Sequence, residues 1–105
     1  MPIACSITGD QIEDTRRSAQ VYTWQGDVRI DLQSIRPEKY SDHEIIRGSG
    51  SAYAWRDGLA YGKKSSESIL APQLTQFPNL AGWLCYPWIW INFSTFTLPS
   101  SVNFE

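Results

Sequence analysis

The chain has one histidine, His43, in the run SDHEII, with Asp42 and Glu44 on either side. A histidine oriented by a carboxylate is the commonest general base, so catalysis would be sought here first. Residues adjacent in sequence point to opposite faces of a strand and diverge around a helix. Neither neighbour is therefore placed to orient the imidazole, and His43 reads as part of a solvated charged loop. Cys5 and Cys85 lie near opposite ends of the chain, and neither has an adjacent His or Lys to lower its thiol pKa. Each reads most simply as a buried free thiol. The alternative is a disulfide tying the N-terminal segment to the C-terminal aromatic run in an oxidising compartment. One His and two Cys cannot fill a standard four-ligand zinc site without carboxylates, so no metal or cofactor is expected.

Other patterns resemble known chemistry only superficially. In GKKS, residues 62–65, the first glycine of a P-loop would fall at position 57, which is Asp. No Gly-x-Ser-x-Gly elbow occurs. The carboxylate pairs Glu13/Asp14 and Asp27/Asp31 are what any acidic protein offers, and Asp27 and Asp31 read as the solvent side of a strand. The expectation is a protein that is not an enzyme.

Charge and aromatics are distributed unevenly. The net charge of the 105-residue chain is −2, which gives no long-range attraction for phosphate backbones. Every basic residue, and every acidic one except Glu105, lies in residues 1–67; residues 68–104 hold no Asp, Glu, Lys, Arg or His. A solvated face nearly always carries charge, so something must cover much of that segment. Within it, WLCYPWIWIN brings together Trp83, Trp88 and Trp90, three of the five tryptophans. Residues 80–98 approach the ~20 residues that span a bilayer. Pro87 near the middle, the polar Asn92, Ser94, Thr95 and Thr97, and the lack of flanking Lys or Arg argue against a membrane helix. The N-terminus has no basic stretch or long apolar run of the kind that opens a secretory signal, so a cytoplasmic location is expected.

The elements that would position these residues read as strands. Ile3, Cys5 and Ile7 alternate, predicting a first strand. In residues 21–32, Val28, Ile30 and Leu32 alternate around a Gln25-Gly26-Asp27 turn, predicting a hairpin. In residues 52–62, Tyr53 and Trp55 lead into Asp57-Gly58, a second hairpin signal. The two segments share a Tyr-x-Trp followed by a glycine turn, VYTWQGD and AYAWRDG. Between them, Pro37 would open a short helix, with Gly48-Ser49-Gly50 as a flexible link. A second short helix is expected over residues 66–70, capped by Ser65 and stopped near Pro72. Residues 71–82 would form an extended loop. A last strand would start at Pro87, with Ile89, Ile91 and Phe93 on one face, Trp88 and Trp90 on the other, and an end near Ser94–Thr95.

The fold class predicted is therefore β-rich, a small antiparallel barrel or curled sheet with one or two short helices; an α+β arrangement is the alternative. One domain is expected, with a charged part, residues 1–67, and an uncharged aromatic-rich part, residues 68–104. The functional expectation is a non-enzymatic module that binds a protein partner, or a second copy of itself, through Trp83, Tyr86, Trp88 and Trp90. Interface cores shed charge and keep aromatics. The alternative is a nucleic-acid-binding platform built from Trp24, Tyr53 and Trp55 with Arg56, Lys63 and Lys64. That platform would need a positive groove, which this composition supplies only locally.

Overall fold

The computed structural model describes residues 3–8, 16–36, 38–74, 84–87 and 93–104. Six strands run as an antiparallel meander: β1 (Ile3–Thr8), β2 (Arg16–Trp24), β3 (Asp27–Arg36), β4 (Tyr40–Ile46), β5 (Ala52–Arg56) and β6 (Tyr61–Ser65). A single helical turn, α1 (Ala71–Leu74), follows. The chain then returns to both edges of the sheet. Strand β7 (Leu84–Pro87) pairs antiparallel with β1, and β8 (Asn103–Phe104) pairs parallel with β6. The result is an open eight-stranded sheet in the order β7-β1-β2-β3-β4-β5-β6-β8, curled but not closed into a barrel.

Cross-strand partners share a face, so the registers sort the side chains. One face carries Ile7, Ala19, Ile30 and Leu32 as its buried centre, with Val21, Val28 and Ile46 beside them. Leu70 seals it, with Ile69, Ala71 and Leu74 packed alongside. We call this the aliphatic face. The opposite face carries Tyr22, Trp24, Arg29, Asp31, His43, Ile45, Tyr53 and Trp55, and we call it the aromatic face. The C-terminal segment lies across part of it. Phe96, in a 3-10 turn (Phe93–Phe96), meets Trp24, and Phe104 sits edge-on to both Tyr53 and Trp55.

The turns follow local chemistry. Gln25 and Gly26 both have positive φ, 51° and 84°, as the twist of a two-residue hairpin requires. Gly62 answers a different demand. A Cβ there would lie 2.6 Å from the Phe104 ring and 2.7 Å from the Ala54 carbonyl oxygen, so only glycine lets β8 close on β6. The two Tyr-x-Trp segments play one role: Tyr22 faces Arg29 across β2–β3, and Tyr53 faces Lys64 across β5–β6.

Several expectations are corrected. SDHEII is strand β4, not a helix following Pro37, which itself lies outside the described residues. Glu44 at an inward position broke the apolar alternation that would have revealed it. Residues 48–50 are no loose link: Arg47 N–H donates to the Ser51 carbonyl at 2.8 Å, Gly50 N–H to the Arg47 carbonyl at 2.9 Å, and Gly48 N–H to Asp27 Oδ1 at 2.9 Å. Residues 66–70 are not helical. Ser65 Oγ accepts from the Glu67 N–H and closes a local turn, while Ser68 Oγ accepts from the Ala71 N–H and caps α1 instead. Pro87 does not open its strand, since Leu84, Cys85 and Tyr86 precede it in β7. The strand expected from residue 88 falls on 88–92, outside the described residues. Cys5 and Cys85 are joined, not free. The bond closes a separation of 80 residues, worth about 4.5 kcal/mol in the chain-entropy picture. No helix among the described residues is long and apolar enough to cross a membrane.

The aliphatic face is organised around Glu44, which is fully buried. Its Oε1 accepts from the Ser68 hydroxyl at 2.5 Å and the Leu70 N–H at 3.3 Å, and its Oε2 accepts from the Ile69 N–H at 2.7 Å. One side chain thus holds the segment that carries the apolar lid residues Ile69 and Leu70. Glu44→Ala should cost about 3 kcal/mol, because it strands backbone donors away from water. Urea unfolding reads this as a lower midpoint; a variant within 1 kcal/mol of wild type (roughly the worth of one ordinary hydrogen bond) would contradict it.

Candidate functional sites

Two neighbouring cross-strand rows make up the aromatic face. One runs Tyr86, Ala4, Tyr22, Arg29, Ile45, Tyr53, Lys64 from β7 to β6. The other runs Leu84, Ser6, Gln20, Asp31, His43, Trp55 from β7 to β5. The centre of these rows holds a polar cluster and the β7 end holds an apolar surface; each is a candidate site.

The cluster is centred on His43. Its Nδ1 lies 2.6 Å from Asp31 Oδ1 and its Nε2 lies 2.9 Å from Asp57 Oδ1. Carboxylate oxygens only accept, so both ring nitrogens are asked to donate, and the imidazolium is the form that satisfies both. Asp31 Oδ1 also takes the Arg29 Nε–H at 3.0 Å, and Arg29 Nη1 donates to the Thr95 carbonyl at 2.8 Å. The Trp55 ring lies against the His43 ring, centroids 5.3 Å apart, and the Arg29 guanidinium lies over the Trp55 ring, 5.6 Å from its centroid. His43 is therefore not in a solvated loop, and Asp31 does not face open solvent; both are half-buried parts of one network. A general base needs a ring nitrogen open to substrate, and here both are engaged. Asp42 and Glu44, its sequence neighbours, point to the other face, as strand geometry demands.

The hydrogen bond His43 donates to Asp31 raises the His43 pKa above its ordinary 6.5, aided by the Asp31 and Asp57 charges, against opposing desolvation. At Asp31, burial works to raise the carboxyl. The His43 hydrogen bond and the Arg29 charge outweigh it, so the group titrates below its ordinary range.

The β7 end differs in character. Leu84 is 71% exposed and Tyr86 54%, and both lie on the aromatic face beside Ala4, which is only 2% exposed. Tyr22 flanks Ala4 on the other side and donates its hydroxyl to Gln20 Oε1 at 2.7 Å. Burial, the Asp31 charge and the nearby Tyr86 phenol push the Tyr22 hydroxyl up. Two tyrosine rings thus flank a small residue, with Leu84 alongside. The Cα atoms of Cys5 and Cys85 are 4.1 Å apart, the spacing of a non-hydrogen-bonded antiparallel pair. The hydrogen-bonded pairs are then Ala4–Tyr86 and Ser6–Leu84, and the Cys85 and Pro87 peptide groups face the outer edge. Proline brings no N–H to that edge, which blunts it against a further strand. What β7 offers outward is side chains more than backbone.

The expected contact residues are distributed as follows. Tyr86 is on this surface, while Trp83, Trp88 and Trp90 lie outside the described residues. Of the alternative platform, Trp24, Tyr53, Trp55 and Lys64 share the aromatic face, whereas Arg56 and Lys63 stand on the aliphatic face. Arg56 is committed to Asp42 by two bonds, of 2.6 and 3.1 Å, and to the Tyr40 ring. Tyr53 and Trp55 are engaged by Phe104. An open cleft of about 350 Å³ lies at that end, with Arg56, Tyr61, Lys63, Ile69 and Gln73 among its walls. No group of His, Cys, Asp or Glu among the described residues could hold a metal ion. Sequence reasoning missed the Asp31–His43–Asp57 cluster. The signal available was symmetry about Pro37, since Asp31 and His43 are equidistant from it and pair across β3–β4.

Comparison with protein-family models, curated proteins and solved structures finds no match to this chain.

The His43 cluster has a pH signature. A raised folded-state pKa gives stability that is fully present below about pH 6.5, the unfolded value, and lost as pH rises through the folded value. The depressed Asp31 contributes above its ordinary unfolded value and is lost as pH falls. Urea midpoints should therefore decline from pH 6 toward pH 9, and His43→Asn should flatten that limb. An equal decline in the variant would assign it elsewhere.

Proposed function

We propose that this chain is a small protein-binding module that docks a partner through the β7 end of its aromatic face. The observation that carries the reading is the pair Leu84 and Tyr86, widely exposed side by side on an uncharged edge strand. Tyrosine at an apolar surface combines large contact area with a polar tip. The partner surface is correspondingly apolar and poor in charge, because nothing in residues 68–104 would pair with a charge. Trp83 and Trp88, the chain neighbours of β7, extend the same uncharged stretch in sequence. The engagement of both His43 ring nitrogens supports binding over catalysis. The disulfide favours an oxidising compartment over the cytoplasmic location expected from the N-terminus.

The test compares wild type with Leu84→Ser/Tyr86→Ser and with Leu59→Ser, an exposed residue at the far end of the sheet. Each is immobilised and exposed to protein extract of the native source without reductant, after circular dichroism has established that all three share one fold. Proteins retained by wild type and Leu59→Ser should be lost from the double variant. Equal retention by all three would remove the reading. Light scattering over a range of concentrations reports whether the partner is a second copy.

A further inference from the structure

The same disulfide that places β7 on the sheet is also its most accessible fastening. All four residues of β7 are exposed, and Cys85 is among them. None belongs to the buried cluster formed by Ile7, Ala19, Ile30, Leu32 and Leu70. Among the described residues, β7 is held noncovalently to β1 along one side by a short ladder of exposed residues, of the kind that opens readily. By contrast, β2, β3 and β4 are paired on both sides and carry the core.

We propose that the Cys5–Cys85 bond is a redox-operated latch on the docking surface, closed in the oxidised chain and opened by a dithiol reductant. The inference rests on the docking reading and names how that surface would be regulated. In the opening reaction a thiolate of the reductant attacks the sulfur of Cys85, the exposed partner of the pair. The Cys5–Cys85 bond breaks, a mixed disulfide forms at Cys85, and Cys5 leaves as thiolate. The second reductant thiol then attacks the mixed disulfide, closing the reductant's own disulfide and releasing Cys85. Two electrons pass to the cysteines, and the two protons lost by the dithiol end on Cys5 and Cys85. Freed of the bond, β7 leaves β1, and Leu84 and Tyr86 lose their fixed places beside Ala4 and Tyr22. Among the described residues, the core that seals the aliphatic face does not involve β7, so the rest of the sheet keeps its packing although its global stability falls.

Two measurements on the full chain test this. Residue-resolved amide exchange is followed with and without dithiothreitol, and in Cys5→Ser/Cys85→Ser, which opens the latch without reductant. On opening, Leu84 and Tyr86 should exchange as fast as unstructured amides, while Ile30 and Leu32 quicken with the lowered global stability but stay protected at least about a hundredfold. Unchanged exchange at Leu84 and Tyr86 overturns the latch and leaves the docking reading standing. Complete loss of protection at Ile30 and Leu32 also overturns it, since the sheet would then unfold with the bond. In the capture assay, the double serine variant should retain at least about tenfold less of whatever wild type holds through Leu84 and Tyr86. Undiminished capture overturns the gating alone. Capture that never depended on Leu84 and Tyr86 overturns both readings.

Discussion

One buried carboxylate determines how this sheet acquires a core. A single open layer of strands cannot bury an apolar face by itself. Among the described residues, the cover on the aliphatic face is residues 68–74, too short to nucleate a helix of its own. Glu44 supplies what that segment lacks. Its two oxygens gather the Ser68 hydroxyl and the Ile69 and Leu70 amides, so the turn that presents Leu70 is held from within the sheet. Ser68 then uses the same hydroxyl oxygen to cap α1. The apolar contacts of Leu70 with Ile30 and Leu32 depend on that placement. Burying a carboxylate is costly, and it is tolerated here because hydrogen-bond donors meet both of its oxygens.

The opposite face is covered by different means. Arg29 reaches Thr95 and Phe104 wedges between Tyr53 and Trp55, so the uncharged C-terminal segment is spent partly on the chain's own aromatics. That explains a good part of the missing charge in residues 68–104, since a segment lying against aromatic rings has no use for it. Among its described residues, β7 is exposed at the other end of the same two cross-strand rows. The aromatic face therefore has a closed end at β5–β6 and an open end at β7. Between them lies the His43 cluster, a polar centre that ties β3, β4 and the β5–β6 turn together through Asp31 and Asp57.

Much of the strand content was legible from residue order. The alternation of Val28, Ile30 and Leu32, and the turns at Gly26 and Gly58, are local signals, and the hairpins form where they predict. Three features were not legible, each for a physical reason. Strand β4 was hidden because its inward positions hold Asp42 and Glu44, and a buried acid looks like a solvated one until its partners are known. The partners of His43 were hidden because they come from across the sheet, not from its sequence neighbours. The union of Cys5 with Cys85 depends on the return of the chain to the β1 edge after the whole meander, which no local pattern encodes. The uneven charge carried no sign that Phe104 packs on Tyr53 and Trp55 while Tyr86 stays outside.

Among the described residues, the aromatic face is covered at its β5–β6 end by Phe104 and open at its β7 end, where Leu84 and Tyr86 point outward. Hydroxyl-radical footprinting of the oxidised protein, read residue by residue, tests it most directly. Leu84 and Tyr86 should label rapidly, Tyr53 and Trp55 more slowly, and Leu32 and Ile45 hardly at all. Protection of Leu84 and Tyr86 as deep as that of Ile45, in a monomer, would contradict the account and place the outward surface elsewhere on the sheet.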